Sequence, residues 1–83
     1  MGKMTEQEVM KVVQSALRID QPLTMSSSAD TIPEWDSLGQ INIIVALDEA
    51  LGGGVSEMQD MALASSVDKI VALLRSSDKI SDA

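Results

Sequence analysis

Apolar residues along this 83-residue chain fall into three periodic stretches separated by two irregular ones. In the first stretch, Val9, Val12, Val13, Ala16 and Leu17 recur at the spacing that gathers side chains on one helical face. Ahead of them, Thr5-Glu6-Gln7-Glu8 has the form of a capping box, in which the Thr5 hydroxyl and the Glu8 carboxylate each accept from an orphaned backbone N–H. Met4 and Val9 are placed to form its hydrophobic staple. The pattern predicts a helix over residues 5–18.

From Ile19 to Trp35 the periodicity lapses around Pro22, the Ser26-Ser27-Ser28 run and Pro33. This segment reads as a long loop, and its scattered Ile19, Leu23, Met25, Ile32 and Trp35 are expected to pin it to the core. After it, Asp36 is a good N-cap for a second helix that runs to Leu51 and ends in Gly52-Gly53-Gly54, where left-handed backbone carries no Cβ penalty. At about 100° per residue, Ile43, Ala46, Leu47, Ala50 and Leu51 share one broad face with Ile44 at its margin, and this is the expected core side. Leu38, Ile41 and Val45 lie opposite, interleaved with Ser37, Asn42, Asp48 and Glu49. This second apolar strip is expected to face outward. Buried placement of the same residues in a more complex bundle is the plainer reading.

Residues 55–64 are Met-rich and irregular, with one short helical turn expected around Met61 and Leu63. Ser65 or Ser66 then caps a last helix whose Val67, Ile70, Val71 and Leu74 mark one buried stripe. No repeat and no strand pattern is present. The expected fold is all-α: a small four-helix bundle of three main helices plus a short one, in a single domain over 1–83. Its ordered core would span about residues 4–76, and a flexible tail about 77–83.

Composition narrows the function. Six Lys and Arg against thirteen Asp and Glu leave a net charge of -7, which repels nucleic-acid phosphates and anionic membranes and favours basic partners. Cys and His are both absent, which removes disulfides, thiolate nucleophiles, most zinc sites and the usual general base. The longest apolar run, Ile43 to Leu47, is far too short to span a membrane, and Glu6 breaks the N-myristoylation pattern. The default expectation is a cytoplasmic monomer without membrane insertion. One aromatic residue in the whole chain leaves a core of Val, Ile, Leu, Met and Ala, soft enough to admit a guest chain.

The run from Glu34 through Trp35-Asp36-Ser37-Leu38-Gly39-Gln40-Ile41-Asn42 to Asp48-Glu49 resembles the signature of the acyl and peptidyl carrier protein family, in which Asp-Ser-Leu begins the second helix. The order and lengths of the other elements resemble the family over nearly the whole chain. The resemblance implies that Ser37 receives 4′-phosphopantetheine from coenzyme A through a separate phosphopantetheinyl transferase, with Asp36 and Leu38 in the recognition sequence. It implies a non-catalytic carrier that shuttles thioester-bound acyl intermediates between enzymes of fatty-acid, polyketide or related biosynthesis. Leu38, Ile41, Asn42, Val45, Asp48 and Glu49 would then meet acyl-loading, ketosynthase or acyltransferase-type partners with basic docking patches. The chemistry agrees, since a helix N-terminus favours a phosphodiester and a chain with no thiol needs an arm that brings one.

Many fatty-acid carriers are acidic where this chain has Gly39 and Asn42, and the Trp-Asp-Ser-Leu-Gly form is closer to specialised carriers. Gly39 also lowers helix propensity by about 1 kcal/mol relative to Ala, so a looser first turn is expected. Two other readings compete. An unmodified acidic module could dock through the same strip, or Ser37 could act as a nucleophile with Lys69 or Lys79 recruited as its base.

Overall fold

In the computed structural model, which describes residues 3–81, three α-helices and one 3-10 helix account for the regular structure, and no strand occurs among the described residues. Helix α1 spans Glu6–Leu17. Its capping box forms as the sequence implies, the Glu8 N–H donating to Thr5 Oγ1 at 3.1 Å and the Thr5 N–H to Glu8 Oε1 at 3.0 Å. Val9, Val13 and Leu17 are buried, Val12 and Ala16 partly so, which is the face the spacing selected. The helix stops at Arg18, whose φ of 57° and ψ of 43° place it in the left-handed region. From there its N–H reaches back to the last turn's carbonyls.

The loop from 18 to 36 is held in two ways. Leu23, Ile32 and Trp35 are buried, with Ile19 and Met25 packed partly against the core. Backbone bonds also tie the loop to the start of the last helix, the Ala29 N–H donating to Ser65 O at 2.8 Å and the Val67 N–H to Ser27 O at 3.0 Å. That second tie joins residues about forty positions apart and is invisible to any local pattern.

Helix α2 covers Ser37–Leu51 and packs against α1. Ile43, Leu47 and Leu51 are buried, while Ile44 and Ala46 are half-buried. Ala50 is exposed and does not belong to the core side on which the helical wheel placed it. Burial of each full-sized aliphatic side chain contributes roughly 1.5–3 kcal/mol, whereas a methyl at the rim adds little, so the helix settles on its larger residues. At its C-terminus Gly52 adopts φ 78° and donates to the Glu49 carbonyl, as a left-handed cap requires.

The turn expected around Met61 and Leu63 is a 3-10 helix, Gln59–Leu63. Met61 points into the core and is fully buried, whereas Leu63 is 78% exposed. Ser66 caps α3, which spans Val67–Ser76 and buries Val67, Ile70, Val71 and Leu74. The Ser66 hydroxyl also donates to the Asp68 carboxylate and holds its pKa below the usual aspartate value.

The tail expected to fray from residue 77 is docked instead as far as Ser81. Ile80 is buried beside Met4, the Met4 N–H donates to Lys79 O at 2.9 Å and the Ser81 N–H to Met4 O at 2.8 Å. Ion pairs Lys3–Asp78 and Glu6–Arg75 brace the same end. A lone apolar residue in a polar tail carries no periodicity, so only the partner segment around Met4 reveals its role. Residues 82 and 83 of that expected tail lie outside the described residues.

Candidate functional site

The site grows from the first turn of α2. Asp36 is extended, with φ -97° and ψ -167°, and its Oδ1 accepts from the Gly39 N–H at 2.8 Å. Because Asp36 performs the capping, Ser37 is left as the first helical residue with an exposed side chain and no capping duty. At the first position of the helix it stands at the end where unpaired N–H groups and the positive end of the dipole favour an attached anionic group.

Gly39 is buried because the chain approaches itself there. A Cβ built on it would lie 2.5 Å from Glu34 O and 2.8 Å from Leu17 Cδ2. The glycine therefore lets α2 begin in close contact with α1 and the preceding loop. An acidic side chain could not be housed at this position without displacing backbone.

Leu38, Ile41 and Val45 are 66%, 57% and 49% exposed, respectively. They lie within about 60° of one another around the helix and over roughly 10 Å of its length, so they form one outward apolar stripe beginning beside Ser37. Asn42 and Glu49 are exposed at its sides. Asp48 differs from its neighbour: it is half-buried, and its Oδ1 accepts from the Val55 N–H at 2.9 Å and the Ser56 N–H at 3.2 Å. Its first role is thus to hold the glycine turn after α2, and only Glu49 presents an exposed carboxylate at that end of the strip.

Two clefts flank Ser37. One, of about 510 Å³, is lined by Ser37 with Trp35, Gln40, Ile41, Ile44 and Ala62, and lies between α2 and the 3-10 helix. The other, of about 420 Å³, runs past Arg18, Glu34, Asp36, Leu38 and Asn42 on the α1 side. The sequence pattern does not mark Trp35, Gln40 or Arg18 as site residues. The i+3 spacing from Ser37 to Gln40 marks a shared face, but nothing local indicates what that face meets.

Gln40 meets three partners. Its Oε1 accepts from Trp35 Nε1 at 2.6 Å, and its Nε2 donates to Met61 O at 2.8 Å and Ala64 O at 3.1 Å. One half-buried amide thereby links the loop, α2 and the 3-10 helix just inside the first cleft.

Neither lysine considered as a base reaches Ser37. Lys79 lies against the Gly54 turn, at the opposite end of a helix about 22 Å long, and Lys69 lines a separate cleft with Asp60, Leu63 and Leu73. Among the described residues no cluster of His, Cys, Asp and Glu could hold a metal, and no helix is long and apolar enough to cross a membrane. Compared with family models, with curated proteins and with solved structures, the chain gives no significant match to any of them.

Proposed function

We propose that this chain is an acyl carrier protein with a carrier-like four-helix fold, in which the 3-10 helix takes the place of the short third helix. Ser37 is the attachment residue for 4′-phosphopantetheine. The single observation that carries the reading is the exposed Ser37 hydroxyl at the first helical position. It is relieved of capping by Asp36 and adjoins the Leu38–Ile41–Val45 stripe.

In the modification, Ser37 Oγ forms a bond to the pantetheine-bearing phosphorus of coenzyme A. The bond from that phosphorus to the bridging pyrophosphate oxygen breaks, releasing adenosine 3′,5′-bisphosphate, and the hydroxyl proton leaves to a base of the transferase. Neither Lys69 nor Lys79 lies where it could take that proton, which supports assigning the base to the transferase. The residues fit the group, because the helix N-terminus favours its phosphodiester and the flanking clefts leave room for the arm. When attached, the group supplies the thiol on which an acyl chain travels.

The stripe offers partner enzymes an apolar contact beside the attachment point. The net charge of -7, with Glu49 exposed next to the stripe, steers it toward basic docking patches. The cargo belongs to fatty-acid, polyketide or related thioester chemistry.

The test is incubation of the folded chain with coenzyme A and a broad-specificity phosphopantetheinyl transferase, followed by intact-mass measurement of wild type and Ser37→Ala. A gain of one phosphopantetheine that disappears in Ser37→Ala is expected. No gain, alongside a control carrier that is modified, would replace this reading with that of an unmodified acidic module docking through α2.

A further inference from the structure

Both routes from Ser37 toward the protein interior are obstructed, in different ways. On the 3-10 side, the way from the cleft to the buried Ile43, Leu47 and Met61 runs between α2 and the 3-10 helix, and Gln40 stands in it. Its amide is engaged on every side, by Trp35 Nε1, Met61 O and Ala64 O. Parting the two elements would break both bonds that Gln40 Nε2 makes to the 3-10 segment, leaving the amide N–H groups and the Ala64 carbonyl without those partners in a partly desolvated seam, while the bond from Trp35 Nε1 holds the Gln40 side chain in place on α2. On the α1 side, Gly39 packs so closely on Glu34 O and Leu17 Cδ2 that not even a methyl group fits. The soft aliphatic core is therefore present but closed off from the attachment residue.

We infer that Gln40 is a specificity-determining residue that keeps the group carried on Ser37 outside the core, so that the cargo is a short or oxygen-bearing acyl group rather than a long saturated one. This inference rests on the carrier reading. The first cleft fits such a cargo, because Asp36, Ser37, Gln40 and Ser65 place polar groups along a wall that Trp35, Ile41, Ile44 and two alanines otherwise make apolar. A thioester held there stays in solvent, and a partner enzyme takes it without first drawing a chain out of the carrier.

Wild type and Gln40→Met, whose side chain is similar in length but makes none of the three bonds, are loaded with acetyl- or decanoyl-phosphopantetheine from the corresponding acyl-coenzyme A. The rate of thioester cleavage by hydroxylamine is compared with that of the same acyl group on free pantetheine. A chain buried nine-tenths of the time is cleaved about tenfold more slowly. Wild type should cleave at the free rate for both lengths, and Gln40→Met should protect decanoyl, but not acetyl, by about that factor. Protection of decanoyl in wild type would overturn the inference, as would no protection in Gln40→Met.

If Gln40→Met fails to fold, Trp35→Phe, which removes one of the three bonds, should show a smaller chain-length-dependent protection, and its absence would overturn the inference. Failure to load would count against the carrier reading and not against the gate. In that case Ser37→Cys, the only thiol of its chain, is alkylated with ethyl or decyl maleimide. The two adducts should melt together when Gln40 is present, and the decyl adduct should melt higher when Gln40→Met is added. A higher-melting decyl adduct with Gln40 in place would overturn the gate by itself.

Discussion

Replacing Gly39 by alanine sets two effects of opposite sign against each other. Helix propensity favours alanine by about 1 kcal/mol, and on that ground alone Gly39→Ala would stabilise α2. The new Cβ, however, would lie 2.5 Å from Glu34 O and 2.8 Å from Leu17 Cδ2, where ordinary contact begins at 3.4 Å. Leu17 can rotate at some cost, but Glu34 O is backbone and is followed directly by Trp35 and the capping Asp36. Overpacking of a tight site costs about 1–3 kcal/mol, and a clash with backbone belongs at the upper end. The net expectation is a loss of about 2 kcal/mol, equivalent to a fall in melting temperature of roughly 10 °C for a domain of this size. Thermal and urea unfolding followed by circular dichroism measure it. Transferase-catalysed loading of Ser37 should slow in parallel, because the displaced segment carries the cap. A melting point equal to or above that of wild type would refute the close-packing argument and return Gly39 to a simple matter of propensity.

Asp48 and Glu49 should separate cleanly in mutagenesis. Asp48→Ala leaves the Val55 and Ser56 N–H groups without their acceptor and should lower stability by about 1–2 kcal/mol in urea titration, whereas Glu49→Ala should stay within about 0.5 kcal/mol. Equal effects would show that Asp48 does not hold the turn. Ile80→Ala should cost about 2–4 kcal/mol because Ile80 is buried against Met4, and a change within about 0.5 kcal/mol would restore the picture of a frayed tail. The Asp78 carboxyl sits below its usual pKa, chiefly through the hydrogen bond from Lys3 and then through the Lys3 charge. A depressed folded-state pKa stabilises above the unfolded value, and the contribution is lost as pH falls through the folded one. Melting curves of wild type and Asp78→Asn should therefore stay a constant distance apart above about pH 5 and converge below about pH 4, and parallel curves down to pH 2.5 would refute the pairing.

The elements with repeating patterns were legible from residue order. Val9, Val13 and Leu17, and again Val67, Ile70, Val71 and Leu74, announce their buried faces because a helix repeats every 3.6 residues and the core selects the large aliphatics. The caps Thr5 and Asp36, and a serine at 65 or 66, follow from short-range hydrogen-bond chemistry; the structure forms the first two bonds and selects Ser66 for the third. The outward position of Leu38, Ile41 and Val45 also followed from spacing. Ala50 was misplaced because a wheel ranks directions, while burial depends on what packs opposite.

What the chain order determined by itself was therefore local: three helices and their caps, an acidic thiol-free composition, and an exposed serine at the head of an apolar stripe. Tertiary structure decided everything that depends on a distant partner. It set Gly39 against Leu17 and a loop carbonyl, engaged Asp48 with the turn beyond α2, docked Ile80 beside Met4 and locked Gln40 between Trp35 and the 3-10 helix. The physical reason is range. Caps and helical faces are settled within four residues of the chain, whereas a close approach or a saturated side-chain amide exists only once segments remote in sequence have been brought together.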